Sequence, residues 1–119
     1  MVIAVGIDLV EIERIAQAMK RRGFLDRILT DREKEFCVKP FQVAGRWAAK
    51  EAIAKAVGLN LSWKDVEILP DELGAPKAQI KSMHFDPRRL KIHISISHER
   101  THAVAMAVLE RIVYQALTP

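Results

Sequence analysis

The sequence predicts an α+β fold, in which helices pack on a small, mainly antiparallel sheet within a single domain spanning residues 1–119. Apolar residues recur at helical spacing through most of the first half of the chain, whereas the second half alternates apolar and polar residues as strands do. Turn-forming residues separate the second-half strands closely enough for hairpins. A chain of 119 residues is long enough for one core and too short for two.

The first two elements are a strand and a helix. Residues 2–7 (VIAVGI) form a short apolar run that is typical of a buried strand, in which Gly6 marks a close backbone approach. Asp8 follows at the expected end of this strand. Apolar residues then recur at helical spacing over residues 12–19, and Gly23 is the expected C-terminal cap of that helix.

Two further helices are predicted before the second half. Thr30 and Glu33, in the sequence TDRE, have the spacing of a capping box and open a short helix that stops before Pro40. An alanine-rich helix follows from about residue 43 to residue 57, and Gly58 ends it.

The second half reads as two hairpins. The stretches DVEILP and PKAQIK are strands around the turn DELGAP. The stretch LKIHISIS alternates apolar and polar residues, and the turn HERT connects it to the alternating run HAVAMAVLE. Two sets of residues are expected on single strand faces: Ile92, Ile94 and Ile96 on the first strand, and Ala103, Ala105 and Ala107 on the second.

The charge is unevenly distributed. The chain has a net charge of +4 and an isoelectric point of about 9.5. The segment from residue 14 to residue 27 carries five basic residues and one acid, which are Arg14, Lys20, Arg21, Arg22, Arg27 and Asp26. This balance favours an acidic protein partner or a phosphorylated ligand.

Several protein classes are not indicated by the sequence. No apolar run reaches the 18 residues of a membrane span, and the apolar start lacks the basic lead-in of a signal peptide. The one cysteine, Cys37, fits a reducing compartment, so a cytoplasmic protein without a membrane partner is expected. His84, His93 and His102 lack zinc-ligand spacing, and no Walker loop is present.

The alanine-rich helix carries charges that do not share one face. With Arg46 at zero, Lys50 lies at about 40°, Glu51 at about 140° and Lys55 at about 180° around the axis. Glu51 and Lys55 are either an ordinary surface pair or groups that face a cleft or a neighbouring subunit. Asp8 fits either a helix N-cap or a metal ligand.

Three stretches together resemble one known family. VGIDLVEIERI at 5–15, AGRWAAKEAIAKAVG at 44–58 and HISISHERTHAVA at 93–105 resemble, in order and spacing, the holo-[acyl-carrier-protein] synthases, the small bacterial 4'-phosphopantetheinyl transferases. The resemblance implies transfer of the phosphopantetheine arm of coenzyme A to a serine of apo acyl carrier protein, with release of adenosine 3',5'-bisphosphate, in fatty acid biosynthesis. It also implies a Mg²⁺ cofactor and a homotrimer with its active sites between subunits.

The resemblance assigns roles to individual residues. Asp8 and Glu51 are implied Mg²⁺ ligands and, with Lys55, catalytic groups. Glu51 takes the serine proton directly or through water, and Lys55 protonates the leaving bisphosphate or stabilises its charge. The implied coenzyme-binding residues are Arg46, Lys50, Lys55, Gly74, Pro76, Ser97 and His98. Gly74 and Pro76 belong to a Gly-Ala-Pro turn at the place where the family has G-K-P. The implied carrier-binding residues are Arg14, Arg21, Arg22 and Arg27.

Two alternatives remain at this stage. The isoelectric point and the run KRR also fit a small nucleic-acid-binding domain, although aromatic residues make up only 6% of the chain and do not alternate with the basic ones. A family member that has lost its activity is the second alternative. For His98, phosphate binding and a simple turn position are both open.

Overall fold

The computed structural model describes residues 1–113 and shows two antiparallel sheets around a long helix. The three-stranded sheet has the order β1-β5-β4, and β2 pairs with β3 in the other sheet. The strands are β1 (Val2–Glu11), β2 (Val66–Pro70), β3 (Pro76–Ile80), β4 (Leu90–His98) and β5 (His102–Arg111). The helices are α1 (Ile12–Met19), α2 (Phe24–Ile28), α3 (Asp31–Lys34), α4 (Pro40–Val57) and a 3₁₀ turn at Trp63–Asp65. The predicted α+β class is confirmed.

Strand β1 is longer than predicted and places Asp8 inside the strand. β1 pairs with β5 as far as Glu11 opposite His102, so the ladder continues three residues beyond Asp8. The strand-end and N-cap interpretations of Asp8 are therefore wrong, and Glu11 precedes α1 without a side-chain cap. Gly23 is also reassigned, because it adopts a positive φ of 84° directly before α2 and does not cap α1.

One face of β1 is open, so the prediction of a buried strand is wrong for half of its residues. Val5, Ile7 and Leu9 are 57–64% exposed, whereas Gly6 and Val10 on the other face are buried against α4 and the core. The apolar run therefore supplies side chains to both faces of the sheet, and only the face that packs on α4 is covered within the protomer.

Helix α4 begins three residues earlier than predicted. Pro40 occupies its first turn, where a missing N–H group costs nothing and the fixed φ suits the helix. Gly58 ends it in the left-handed conformation at φ 71°, as predicted. The capping box of Thr30 and Glu33 is also confirmed, at the start of α3.

Helix α4 lies across the three-stranded sheet at very short range. A Cβ atom on Gly6 would lie 2.0 Å from the carbonyl oxygen of Ala52, and one on Gly45 would lie 3.0 Å from Ile96. Between these two points β5 presents its small buried residues, Ala103, Ala105 and Ala107. Small residues on α4 and on the sheet allow this close contact, so that α4 crosses the sheet from β4 near Gly45 to β1 near Ala52. The crossing places the charged residues at the end of α4 beside β1.

Both predicted hairpins are present, with the expected alternation on β4. Within residues 1–113, no helix combines the length and the apolar character that crossing a bilayer requires.

Candidate active site

Asp8 and Lys55 meet where α4 reaches the β1 edge of the sheet. The Lys55 Nζ donates to Asp8 Oδ1 at 3.2 Å and to the carbonyl oxygen of Ile7 at 2.9 Å. The Asp8 side chain is 16% exposed and that of Lys55 is 54% exposed. The pair is thus held by the backbone on one side and open to solvent on the other.

Glu51 lies one helical turn before Lys55, on the neighbouring part of the same helix surface. It is half-buried, and no residue within 1–113 forms a hydrogen bond or ion pair with its carboxylate. The ordinary surface-pair interpretation is wrong, because Lys55 pairs with Asp8 and not with Glu51. Asp8 on β1 thus contacts Lys55 directly, and Glu51 lies one turn before Lys55 on α4.

The donor set suits a hard cation. Carboxylate oxygens are the protein ligands that Mg²⁺ prefers, and this ion uses one or two of them beside water and phosphate oxygens. Residues 1–113 contain no group of three or more His, Cys, Asp or Glu side chains with metal-binding geometry. A site of two carboxylates that is completed by substrate is compatible with that finding.

Lys50 does not belong to this site, and its predicted role in coenzyme binding is corrected. Its Nζ donates to Glu33 Oε1 at 2.7 Å and to the carbonyl oxygens of Ile28 at 2.7 Å and Trp63 at 2.9 Å. These bonds use all three donors of a side chain that is 4% exposed. Burial lowers the pKa of Lys50, and the hydrogen bond from Lys50 to Glu33 opposes that shift.

A buried acidic network surrounds Lys50. Glu33 uses its second oxygen to accept from the backbone N–H of Ile68 at 2.9 Å. Glu67, which is 6% exposed, accepts from the Thr30 hydroxyl at 2.7 Å and from Arg32 at 3.3 Å. Sequence reasoning missed this network. Glu67, a carboxylate within the apolar run of β2, was its only signal.

Arg46 stands beside the second sheet. Its Nε donates to the carbonyl oxygen of Ile68 at 3.2 Å. The side chain is half-buried, and its role in coenzyme binding stays a prediction.

Ser97 and His98, two further residues predicted to bind coenzyme, lie at the opposite edge of the three-stranded sheet. Ser97 and His98 end β4, and the imidazole of His98 packs on the ring of Phe41 with 4.6 Å between centroids. Because β5 separates β4 from β1, two interstrand spacings of roughly 5 Å each lie between these strands. The structure therefore does not bring His98 into contact with the Asp8 group.

Gly74 and Pro76 lie in the turn between β2 and β3. Asp71 Oδ1 accepts from the N–H groups of Leu73 and Ala75 at 2.9 Å each, and Gly74 adopts a φ of 85°. A turn survives at the Gly-Ala-Pro sequence, and the contact of these residues with coenzyme stays a prediction.

The four predicted carrier-binding arginines are all exposed and are termed here the basic surface: Arg14, Arg21, Arg22 and Arg27. Arg14 lies on α1, and the other three line a depression of about 270 Å³ between α1 and α2. None of the four forms an ion pair within residues 1–113. Arg21 lies over the ring of Phe24 at 5.8 Å, and the acid of this segment, Asp26, pairs with Lys34. The basic surface is thus free to meet an acidic partner.

Comparison with known proteins gives one consistent result. The family model of the 4'-phosphopantetheinyl transferase superfamily matches residues 4–108. The holo-[acyl-carrier-protein] synthase of Exiguobacterium sp. (strain ATCC BAA-1283 / AT1b) is 46% identical, with 92% of this chain and 93% of that protein covered. The protein of that name from Geobacillus sp. (strain WCH70) is 43% identical, with coverages of 94% and 99%.

Solved structures agree over nearly the whole chain. The holo-(acyl-carrier-protein) synthase of Bacillus anthracis str. Ames, in complex with CoA (3',5'-ADP), superposes with a TM-score of 0.80 at 36% identity and covers 92% of this chain and 96% of its own. The Helicobacter pylori enzyme in complex with coenzyme A has a TM-score of 0.81 at 33% identity, with coverages of 89% and 99%.

Proposed function

Because this chain belongs to the 4'-phosphopantetheinyl transferase superfamily, we propose that it transfers 4'-phosphopantetheine from coenzyme A to a serine of apo acyl carrier protein. Adenosine 3',5'-bisphosphate is the second product, and fatty acid biosynthesis is the process served. The relatives carry the name of this activity, and two of their structures were solved with coenzyme A or its nucleotide part.

The observation that carries the proposal is the Asp8–Lys55 pair with Glu51 one turn away. Attack of a serine hydroxyl on phosphorus requires a proton acceptor for the serine and positive charge for the pyrophosphate oxygens. Glu51 has no partner among the described residues and is the proton acceptor. Lys55 donates to the bisphosphate leaving group, while the Ile7 carbonyl holds its ammonium in place.

Asp8 and Glu51 are the residues that would hold Mg²⁺. When bound, this ion neutralises charge on the pyrophosphate and orients it for in-line displacement. Lys55 orients the Asp8 carboxylate through the 3.2 Å hydrogen bond and leaves its second oxygen open.

We assign the nucleotide end of coenzyme A to the β4 edge. His98 packs on Phe41 beside Arg100, in a groove of about 520 Å³. Aromatic faces and a guanidinium suit a purine and a phosphate. Ser97, Arg46 and the Gly74–Pro76 turn remain candidate contacts for the rest of the coenzyme.

We also propose a homotrimer with shared sites. The exposed apolar face of β1 supports association, since monomers rarely leave such a surface open. The β4 and β1 edges of one protomer are separated by β5, so neighbouring copies can supply the two halves of one site. The buried free thiol of Cys37 fits the cytoplasmic location that the sequence predicts.

The basic surface is the proposed docking site for the acidic carrier protein. Complementary charge raises the rate of encounter more than the affinity, and the effect weakens with salt. The aromatic packing argues against the nucleic-acid alternative, because Phe24, Trp47 and Trp63 pack on one another and are not arranged as a row of rings for base stacking.

The test is mass spectrometry of apo acyl carrier protein after incubation with this protein, coenzyme A and Mg²⁺. The carrier should gain the mass of one phosphopantetheine on its serine, and a chelator should prevent the gain. A known enzyme of the family serves as the positive control. If that control succeeds while this protein leaves the carrier unmodified, the proposal fails and the inactive-member alternative stands.

A further inference from the structure

Helix α2, which carries Arg27 of the basic surface, is attached to α4 at two points. At its N-terminal end the Phe24 ring stacks on Trp47 with 5.9 Å between centroids. At its C-terminal end the Ile28 carbonyl accepts from Lys50 at 2.7 Å. Both partners lie on α4 within the turn that precedes Glu51.

The α4 residues that contact α2 also contact the 3₁₀ turn and α3. Trp47 packs on Trp63 with 4.3 Å between centroids, and Lys50 also donates to the Trp63 carbonyl. Glu33 of α3 links this group to β2, because its carboxylate accepts one hydrogen bond from Lys50 and another from the backbone N–H of Ile68. Two side chains of α4 are thus each bonded or packed to α2 and to the 3₁₀ turn.

Besides these contacts, helix α2 has an ion pair between Asp26 and Lys34 of α3, and exposed pairs of this kind contribute little to stability. The helix is five residues long, and helices shorter than about twelve residues are marginal on their own. Its buried residues are Phe24 and Ile28, the same residues that contact Trp47 and Lys50. Without these contacts Arg27, the one arginine of α2, would be held less firmly relative to Glu51.

We propose that Trp47 and Lys50 are positioning residues that fix the carrier-docking surface of α2 relative to the reactive turn of α4. Neither touches the reacting atoms. Their contribution is to present Arg27 and its neighbours in an arrangement that a carrier can bind without first ordering the helix. This inference rests on the proposed function and adds residues that the sequence assigned otherwise or did not assign.

The test uses the full chain with Trp47→Leu and, separately, the double variant Glu33→Gln/Lys50→Met. The double variant avoids leaving a buried carboxylate without its partner, and the introduced glutamine amide retains an oxygen for the Ile68 N–H group. Lys81→Met is the matched control, since it removes one exposed positive charge after β3 that belongs neither to the basic surface nor to the proposed catalytic residues.

Two measurements distinguish positioning from a merely structural role. The KM for apo carrier protein should rise roughly tenfold in both variants, while the KM for coenzyme A and the values for Lys81→Met stay at wild type. A smaller folded fraction would lower the apparent kcat but would leave both KM values unchanged.

The second measurement is hydrogen exchange and needs no activity. The amides of Arg27 and Leu29, which bond to Gly23 and Leu25, should exchange faster in both variants while the α4 amides keep their rates. Unchanged exchange in α2, or an unchanged KM for the carrier, overturns the proposal. Because exchange does not depend on transfer, failure of the proposed function and failure of this inference are separable.

Discussion

At the scale of single residues, the proposed chemistry depends most on the carboxylate of Glu51. Glu51 is half-buried and has no bonding partner within residues 1–113, whereas every neighbouring charge on α4 is engaged. Solvent reaches the Glu51 carboxylate, so a ligand can bind it without breaking a contact among the described residues. Substitution of Glu51 is therefore the most direct test of the proposed chemistry.

Replacing Glu51 by Gln should abolish transfer and leave the fold intact. The substitution removes the proton acceptor and one carboxylate ligand, so kcat should fall by about 10²- to 10⁴-fold, while no described contact is lost. Carrier modification and the thermal midpoint measured on one preparation check this.

Glu35→Gln is the control, because Glu35 is exposed and unbonded within the described residues. It should retain full activity. Full activity in Glu51→Gln would instead remove Glu51 from the reaction.

Glu99 gives a residue-scale prediction about pH. Its carboxylate accepts from the N–H groups of Thr101 at 2.8 Å and His102 at 2.7 Å and from the Thr101 hydroxyl. The Thr101 hydroxyl, with these backbone bonds, lowers the pKa of Glu99 to about 2. The folded pKa lies below the unfolded one, so the stabilisation is present above about pH 4.5 and is lost as the pH falls towards 2.

Glu99→Gln should therefore lower the thermal midpoint at pH 7. The difference from wild type should shrink as the pH falls from about 4.5 towards 2, because the wild-type carboxylate is then protonated. Thermal midpoints measured across this pH range check it. A difference that stays constant would assign the effect to geometry and not to charge.

At the scale of elements, the fold follows from how closely α4 can approach the sheet. Apolar spacing predicted the existence of most elements, and alternation predicted the faces of β4 and β5. It did not predict α2, since five residues carry too little periodicity. The position of Asp8 was missed because strand length is set by the partner β5, which the local sequence does not contain.

The sequence indicated those parts of the candidate site whose residues are close together along the chain. The spacing of Glu51 and Lys55 is a property of one helix, and Asp8 belongs to a short recognisable stretch. The partners of Lys50 come from α2, α3 and the 3₁₀ turn, and no spacing within α4 indicates which of its charges faces them. Lys50, which precedes the candidate catalytic Glu51 in the sequence, is thus a buried group bonded to three other elements.

Gly6 provides the element-scale prediction. A Cβ at this position would lie 2.0 Å from the Ala52 carbonyl oxygen and 3.0 Å from the Ala56 N, both of which are helix backbone. Since backbone atoms cannot rotate away, Gly6→Ala must push α4 off β1. We expect destabilisation by about 1–3 kcal/mol or more, measured by urea denaturation.

The same shift should weaken transfer in the folded fraction, because it moves Lys55 from Asp8. Gly23→Ala is a useful comparison. A Cβ there meets no atom within 4 Å, so its cost comes only from the positive φ. Equal stability of Gly6→Ala and wild type would contradict the packing described for α4.

At the scale of the whole molecule, the outer face of the three-stranded sheet is divided by polarity. β1 contributes the exposed side chains of Val5, Ile7 and Leu9, and Met106 of β5 is 44% exposed beside them. The corresponding face of β4 is polar, with Ser95 at its centre. This sheet face is apolar along β1 and polar along β4. Such a surface suits a closed ring of protomers, in which each copy covers the apolar β1 edge of the next copy.

Ile7→Lys should dissociate such an assembly without unfolding the chain. The Ile7 side chain is 60% exposed in the protomer, so its replacement should change protomer stability by less than about 0.5 kcal/mol. A lysine buried between copies would be an unpaired charge, which is strongly unfavourable. Sedimentation should show wild type at about three times the 13.5 kDa of one chain and the variant at one.

Met83→Lys introduces the same charge at an apolar side chain that is 92% exposed and lies outside the three-stranded sheet, so it is the matched control and should remain trimeric. If the two halves of the site come from neighbouring copies, the Ile7→Lys monomer should also lose transfer while its circular dichroism stays native. That loss should be reversed in part at high protein concentration, because mass action restores the assembly. A monomeric wild type that modifies the carrier at full rate would overturn the shared site and leave the Asp8, Glu51 and Lys55 chemistry within one protomer.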